Sequence, residues 1–185
     1  RYDAFGRVIG QTDPRGGITS TQYDRLGRAI QTTDALGNSQ RTTYDIFDRT
    51  VTQIDKLGNT IATYSYDVAK RSLSVTDANG NTTRTVNNRH GQSFEVSDAR
   101  GITTRTTYDT AGRPIQTQTL DSLGNPIQSQ GVNQQSSQAY DAVGNVITTT
   151  NALGQVVRYA FDAVSRLVSK IIDPTGLNIT SSTSY

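Results

Sequence analysis

The sequence predicts an all-β fold, an antiparallel β-meander of about sixteen short strands. Three observations carry this expectation. A phrase of about 21 residues recurs eight times in the 185-residue chain, starting at Tyr2, Tyr23, Tyr44, Tyr66, Asn87, Tyr108, Tyr140 and Phe161. Each copy divides into two halves that close on turn residues. Between the turns, Thr, Val, Ile and Tyr alternate with polar residues, and runs of helix formers are missing.

The first half of each copy opens on Tyr-Asp and ends on Gly-Arg. It reads Tyr2-Asp3 with Gly6-Arg7, Tyr23-Asp24 with Gly27-Arg28, and Tyr108-Asp109 with Gly112-Arg113. Tyr44-Asp45, Tyr66-Asp67 and Tyr140-Asp141 with Gly144 keep most of it, and Gly91 keeps the glycine of the fifth copy. Asp48, Lys70 and Ser165 stand where the other copies have glycine. The second half holds its glycine in all copies, at Gly16, Gly37, Gly58, Gly80, Gly101, Gly124, Gly154 and Gly176. Asp accepts backbone N–H bonds two residues on, and Gly supplies the positive-φ residue that reverses the chain. These Tyr, Asp, Gly and Arg residues are therefore expected to be structural, building turns and a ladder between them.

Seven residues after each copy begins stands one apolar residue: Ile9, Ile30, Val51, Leu73, Phe94, Ile115, Ile147 and Val168. Polar or small neighbours flank them, which predicts one inward-facing anchor per copy. The chain reads as a single array over 1–185, interrupted by a Gln- and Ser-rich insert over 128–138 that is expected to be an exposed loop.

Composition narrows the function. Only 33% of residues are hydrophobic, so thin layers rather than one thick core are expected. A formal net charge of +2 with no basic stripe argues against a nucleic-acid partner. Without Cys there are neither disulfides nor thiolate metal sites, and no apolar run is long enough for a membrane-spanning helix. The chain begins at Arg1 inside a copy and ends at Tyr185, as expected of a piece of a longer protein.

The phrase Tyr-Asp-x-x-Gly-Arg followed by Asp-x-x-Gly-Asn, best seen at Tyr23 to Arg28 with Asp34-Ala35-Leu36-Gly37-Asn38, resembles the YD repeat of the RHS family over essentially the whole chain. The resemblance implies a sheet wound spirally into a hollow β-shell, as in bacterial polymorphic toxins, insecticidal toxin-complex subunits and teneurins. In the toxins such a shell sequesters a variable C-terminal toxic domain until delivery and is closed by a core region with an aspartyl self-cleavage site. Asp173-Pro174-Thr175-Gly176 resembles the start of that core, but the pattern that follows it there does not appear, and Asp13-Pro14-Arg15-Gly16 has the same form. Both read as ordinary turns.

Scale adds a limit. Sixteen strands at ~4.8 Å make a ribbon ~77 Å wide, which closes into a ring only ~25–35 Å across. A folded domain of about 100 residues has a radius of gyration near 13 Å, too large to fit once side chains fill the ring. The segment is a wall panel. A small β-propeller is the alternative, since two copies match the length of a blade.

Chemical readings compete less well. Two Asp per copy could flank a sugar, yet 14 of 15 Asp fall on the two repeated turn positions, so their job is one every turn needs. His90, the single histidine, could be drafted with Ser93 or Asp98, but it sits at a variable turn position. Asp77-Ala78-Asn79-Gly80-Asn81 lacks the closing Glu of a calcium loop, and Asn81 and Asn178 head formal glycosylation sequons. The recurring Tyr and Arg could bind glycans, or could instead stack as a ladder with Arg7, Arg28, Arg49, Arg71, Arg113 and Arg166 paired to turn carboxylates.

The expectation is a non-enzymatic segment without cofactor or metal. Its partners would be the rest of its own shell and an enclosed toxin passenger, in a secreted or cell-surface bacterial protein. An adhesin-like module binding glycans or a protein through Tyr, Arg and the insert is the alternative. Open sheet edges predict self-association of the isolated piece.

Overall fold

A computed structural model describes residues 1–173 and 179–181. Among them there is no helix. The chain divides into two compact units, Arg1–Arg84 and Thr85–Tyr185.

The first unit holds β1 (Gly10–Thr12), β2 (Ile18–Tyr23), β3 (Ala29–Thr33), β4 (Ser39–Tyr44), β5 (Thr50–Ile54), β6 (Thr60–Asp67) and β7 (Ser72–Asp77). It also holds the first residues of β8 (Thr82–Asn87). The strands lie in sequence order, and the paired registers from β1 to β7 are antiparallel. The second unit runs from the end of β8 through β9 (Ser93–Ser97), β10 (Thr103–Tyr108) and β11 (Pro114–Leu120). After the insert it resumes with β14 (Gln135–Tyr140), β15 (Val146–Thr150), β16 (Val156–Phe161), β17 (Leu167–Asp173) and β18 (Ile179–Ser181). Each unit is one open meander with no break into four-stranded blades, which overturns the propeller alternative.

The 128–138 insert is not a single loop. β12 (Gln128–Ser129) and β13 (Val132–Asn133) form a separate two-stranded hairpin, while Gln135–Gln138 belong to β14. The reason is pairing: Gln116, Thr117 and Gln118 of β11 need partners, and Ser137, Ser136 and Gln135 supply them. Gly176 and Asn178 lie outside the described residues.

Burial follows from the single layer. Among the described residues Leu120, 2% exposed, is the one buried large apolar side chain. Ile9, Ile30, Val51, Leu73, Phe94, Ile115 and Ile147 are only half-buried, and Val168 is exposed. A sheet with no second layer above it cannot fully bury an anchor.

One face carries a row of threonines. In the first unit Thr43, Thr52, Thr63 and Thr76 stand opposite one another across β4 to β7 on one face, and the Thr76 and Thr82 hydroxyls bond at 2.8 Å. β-branched hydroxyl residues suit a pleated surface and satisfy one another across it.

Candidate functional site: the Tyr-Asp-Arg ladder of the turn rim

Because the sheet is a meander, its turns fall alternately on two rims. The Tyr-Asp turns line one, and the Asp-x-x-Gly-Asn turns line the other. Both use one design. At Asp24, carboxylate Oδ1 accepts the backbone N–H groups of Leu26 and Arg28, at 2.9 and 3.0 Å. Gly27 N–H donates to the Asp24 carbonyl at 3.1 Å, and Asp24 N–H donates to the Arg28 carbonyl at 2.9 Å. Gly27 stands at φ 87°, the left-handed region that costs an L-residue strain. This is a tight turn followed by a bulge, and the register between β2 and β3 shifts at Tyr23 accordingly.

Every described turn glycine predicted from sequence takes positive φ. Asp48 (φ 66°) and Ser165 (φ 61°) take it where glycine is missing. The fourth copy differs: Arg71, not Lys70, is left-handed at φ 50°. That turn is reshaped, with β6 running through Asp67 to pair with Ser72 and with Lys70 N–H bonding Asp67 Oδ1. Lys70 also pairs with the Asp67 carboxylate at 3.6 Å.

The second carboxylate oxygen reads the side chain four residues on. On the Tyr-Asp rim Arg Nε meets Oδ2 at Asp3–Arg7, Asp24–Arg28, Asp45–Arg49, Asp109–Arg113 and Asp162–Arg166, at 2.6 to 2.7 Å. On the other rim Asn takes that place, as in Asn59 to Asp55 and Asn81 to Asp77. Asn145 does so for Asp141, the Tyr-Asp turn that lacks Arg.

Arg7, Arg28, Arg49 and Arg113 also reach the next copy. The Arg28 guanidinium lies 4.7 Å from the Tyr44 ring and donates to the Asp45 carbonyl at 2.9 Å. Tyr44 in turn donates its hydroxyl to the Ala29 carbonyl at 3.1 Å. Arg7 with Tyr23 and Arg49 with Tyr66 repeat the arrangement. In the second unit Arg113 stacks on Tyr140 at 4.4 Å and Tyr140 donates to Pro114, so the ladder passes the insert unbroken. Tyr2 opens the array 69% exposed. Tyr23, Tyr44, Tyr66 and Tyr140 are half-buried, one end wet and one face covered by a cation.

The electrostatics match. The Asp24, Asp109 and Asp162 carboxyls are held below the usual carboxylate range, first by the backbone N–H of the residue four on and further by its guanidinium. Asp34 is depressed strongly, by Lys56 Nζ at 2.6 Å and then Asn38. A general acid needs a raised pKa, and these shifts all run the other way. His90 bonds Arg89 and the Asn88 side chain, and Asp98 is engaged by Arg100 and Ile102, so each serves its own turn. Among the described residues no three His, Asp or Glu gather as a metal site. No helix there is long and apolar enough to cross a membrane.

Two features escape the sequence pattern. Glu95 and Arg105, off the turn register, pair across β9 and β10 at 2.8 Å. Where a turn opens on Asn rather than Asp, Gln replaces Arg or Asn four residues on, at Asn88 with Gln92 and Asn151 with Gln155.

The RHS Repeat family matches residues 2–39, 23–60 and 140–177, more than half of the chain, and each match begins on a phrase residue. The chain belongs to the RHS repeat family. No curated protein matches it. Among solved structures, TcdB2-TccC3 without its hypervariable C-terminal region is 18% identical with a TM-score of 0.53, covering 100% of this chain and 12% of that one. TcdB2-TccC3-TEV is 17% identical with a TM-score of 0.51, covering 98% and 12%. The Tc holotoxin pore of Photorhabdus luminescens is 17% identical over 100% of this chain and 15% of that one, with a TM-score of 0.46. These RHS repeats thus share a fold with a stretch of much longer proteins, spanning about an eighth of their length.

Proposed function

We propose that this chain is a non-enzymatic panel of an RHS-type β-shell, which encloses and sequesters a C-terminal toxin domain until delivery. The observation that carries the reading is the use made of the repeated side chains. Turn carboxylates are engaged by backbone and by Arg or Asn, and the Tyr23, Tyr44, Tyr66 and Tyr140 rings by the Arg of the preceding copy. Side chains so used fasten a wall, and the threonine row of the first unit offers a polar lining to which an incompletely folded passenger does not adhere.

Family membership and the fold shared with TcdB2-TccC3 support the same reading. Its partners are the remainder of the shell and the passenger, and its setting a secreted or cell-surface bacterial protein. The test is limited proteolysis of the longer protein that carries this segment. A passenger cleaved at least about tenfold more slowly inside the protein than when produced alone supports containment, since cleavage follows the exposed population. Equal cleavage rates contradict it.

A further inference from the structure

At the insert after β11 the period breaks, and hydrogen-bonding side chains collect that no turn or ladder uses. The hairpin of β12 and β13 is held stiffly. Gln130 (φ 52°) and Gly131 (φ 77°) give the two-residue turn whose twist suits paired strands, and Gln128 Nε2 donates to Asn133 Oδ1 at 3.1 Å across it. Between this hairpin and the Asn151 turn lies an open hollow of about 410 Å³, lined by Val132, Gln135 and Ala152 among others. A second hollow of about 330 Å³ adjoins it over β11, β14 and β15, and Thr150 and Asn151 line both.

The lining selects a ligand class. No residue lining either hollow is charged, in a chain 18% charged, so an ionic ligand finds no counter-charge there. Strand register sets Gln116, Ser137 and Thr150 opposite one another on one face, with Gln135 two residues from Ser137 on that same face. These four side chains are half-buried and make no hydrogen bond among the described residues. Amides and hydroxyls each donate and accept, so the row calls for a neutral partner that does both at closely spaced groups. The hydroxyls of a sugar do so. Val132, 41% exposed, and Pro114 offer small apolar surfaces for the C–H faces of sugar rings. Each hollow has the size of a small-ligand site, and their adjacency suits a chain of linked units. β11, β14 and β15 are each paired on both sides, so none of them offers an open edge to an extended peptide.

We propose that the insert hairpin and the adjoining face of β11, β14 and β15 form a binding site for an uncharged oligosaccharide. Gln116 holds the ligand in the hollow over the sheet, and Gln135 holds it in the hollow beside the hairpin. The ladder takes no part, since neither Tyr nor Arg lines the hollows. The site is additional to the wall and does not depend on that reading.

The test is calorimetric titration of the 185-residue chain with neutral tetrasaccharides of glucose, galactose, mannose and N-acetylglucosamine, beside a sulfated tetrasaccharide. At least one neutral tetrasaccharide is expected to bind with a Kd of about millimolar or tighter, and the sulfated one to bind more weakly. Gln116→Leu and Gln135→Leu each remove an amide at similar bulk and are expected to weaken that binding about tenfold. Gln40→Leu, the same change on β4 of the first unit, is expected to leave it unaltered. Gln116→Met or Gln135→Met replaces any Leu variant whose circular dichroism departs from wild type. No binding of any neutral tetrasaccharide, preference for the sulfated one, or cleft variants that bind like wild type overturns the proposal. Retention of a reduced, denatured polypeptide with no sugar bound would assign the hollows to peptide and overturn it as well. Passenger protection is a separate readout, so failure of sugar binding leaves the wall reading standing, and the reverse holds.

Discussion

The two oxygens of a turn carboxylate do separate work, and that explains which side chain follows four residues later. Oδ1 collects backbone N–H groups, leaving Oδ2 as an acceptor that calls for a donor, Arg or Asn. When Asn opens the turn its oxygen does the same backbone work and its Nδ2 is left as a donor, so the residue four on must accept. Gln92 does, at 2.8 Å, and its own Nε2 is fixed on the Gly112 carbonyl. Asn88→Asp is therefore expected to lower the urea midpoint by setting a carboxylate against an amide oxygen that cannot turn. Gln92→Arg in that background should recover it, and two losses that merely add would contradict the pairing rule. Acid tests the same carboxylates together. Their folded pKa values lie below the unfolded value of about 3.9, so their stabilisation is complete above it and is lost as pH falls through the folded values. The urea midpoint should be flat between about pH 7 and pH 5 and decline below about pH 4; constancy down to about pH 2 would rule the carboxylates out as stabilisers.

At the scale of strands and turns, the repeat period made most of the fold legible. Asp-x-x-Gly marked each turn, and β-branched alternation marked each strand between. What stayed hidden depended on register. A one-residue change in the Asp67 turn moves the left-handed position from Lys70 to Arg71, which spacing alone does not reveal. The insert read as a loop because Gln and Ser are turn-like in composition, yet β11 needs a partner and Gln135–Gln138 meet that need. The ladder was half legible: the Arg–Asp pairs follow from spacing, whereas the Arg–Tyr stacking joins successive copies and needs the sheet. Two substitutions probe this scale. Ser165→Gly relieves a left-handed L-residue and should raise stability by about 1 kcal/mol in urea unfolding, with no gain refuting strain there. Tyr108→Phe removes a 2.7 Å bond to the Ser93 carbonyl and should cost about 1 kcal/mol. An unchanged midpoint would mean that the hydroxyl contributes nothing.

At the scale of the whole molecule, the absence of a second layer among the described residues decides where stability comes from. With Leu120 the one buried large apolar side chain among the described residues, strand pairing and links between successive copies carry what a core carries elsewhere. Stability of such an array is approximately a sum of terms within repeats and between neighbours. Sequence reasoning reached the low hydrophobic content and the single sheet, but it placed Val168 inward where a one-layer sheet leaves it exposed. The central claim is that Tyr and Arg, where both recur, tie one copy to the next. A double-mutant cycle over Arg49 and Tyr66, whose guanidinium and ring lie 4.3 Å apart, tests it most directly. With Arg49→Ala, Tyr66→Leu and the pair compared in urea, the account predicts a favourable coupling of about 0.5–1 kcal/mol. Strict additivity of the two losses would contradict it.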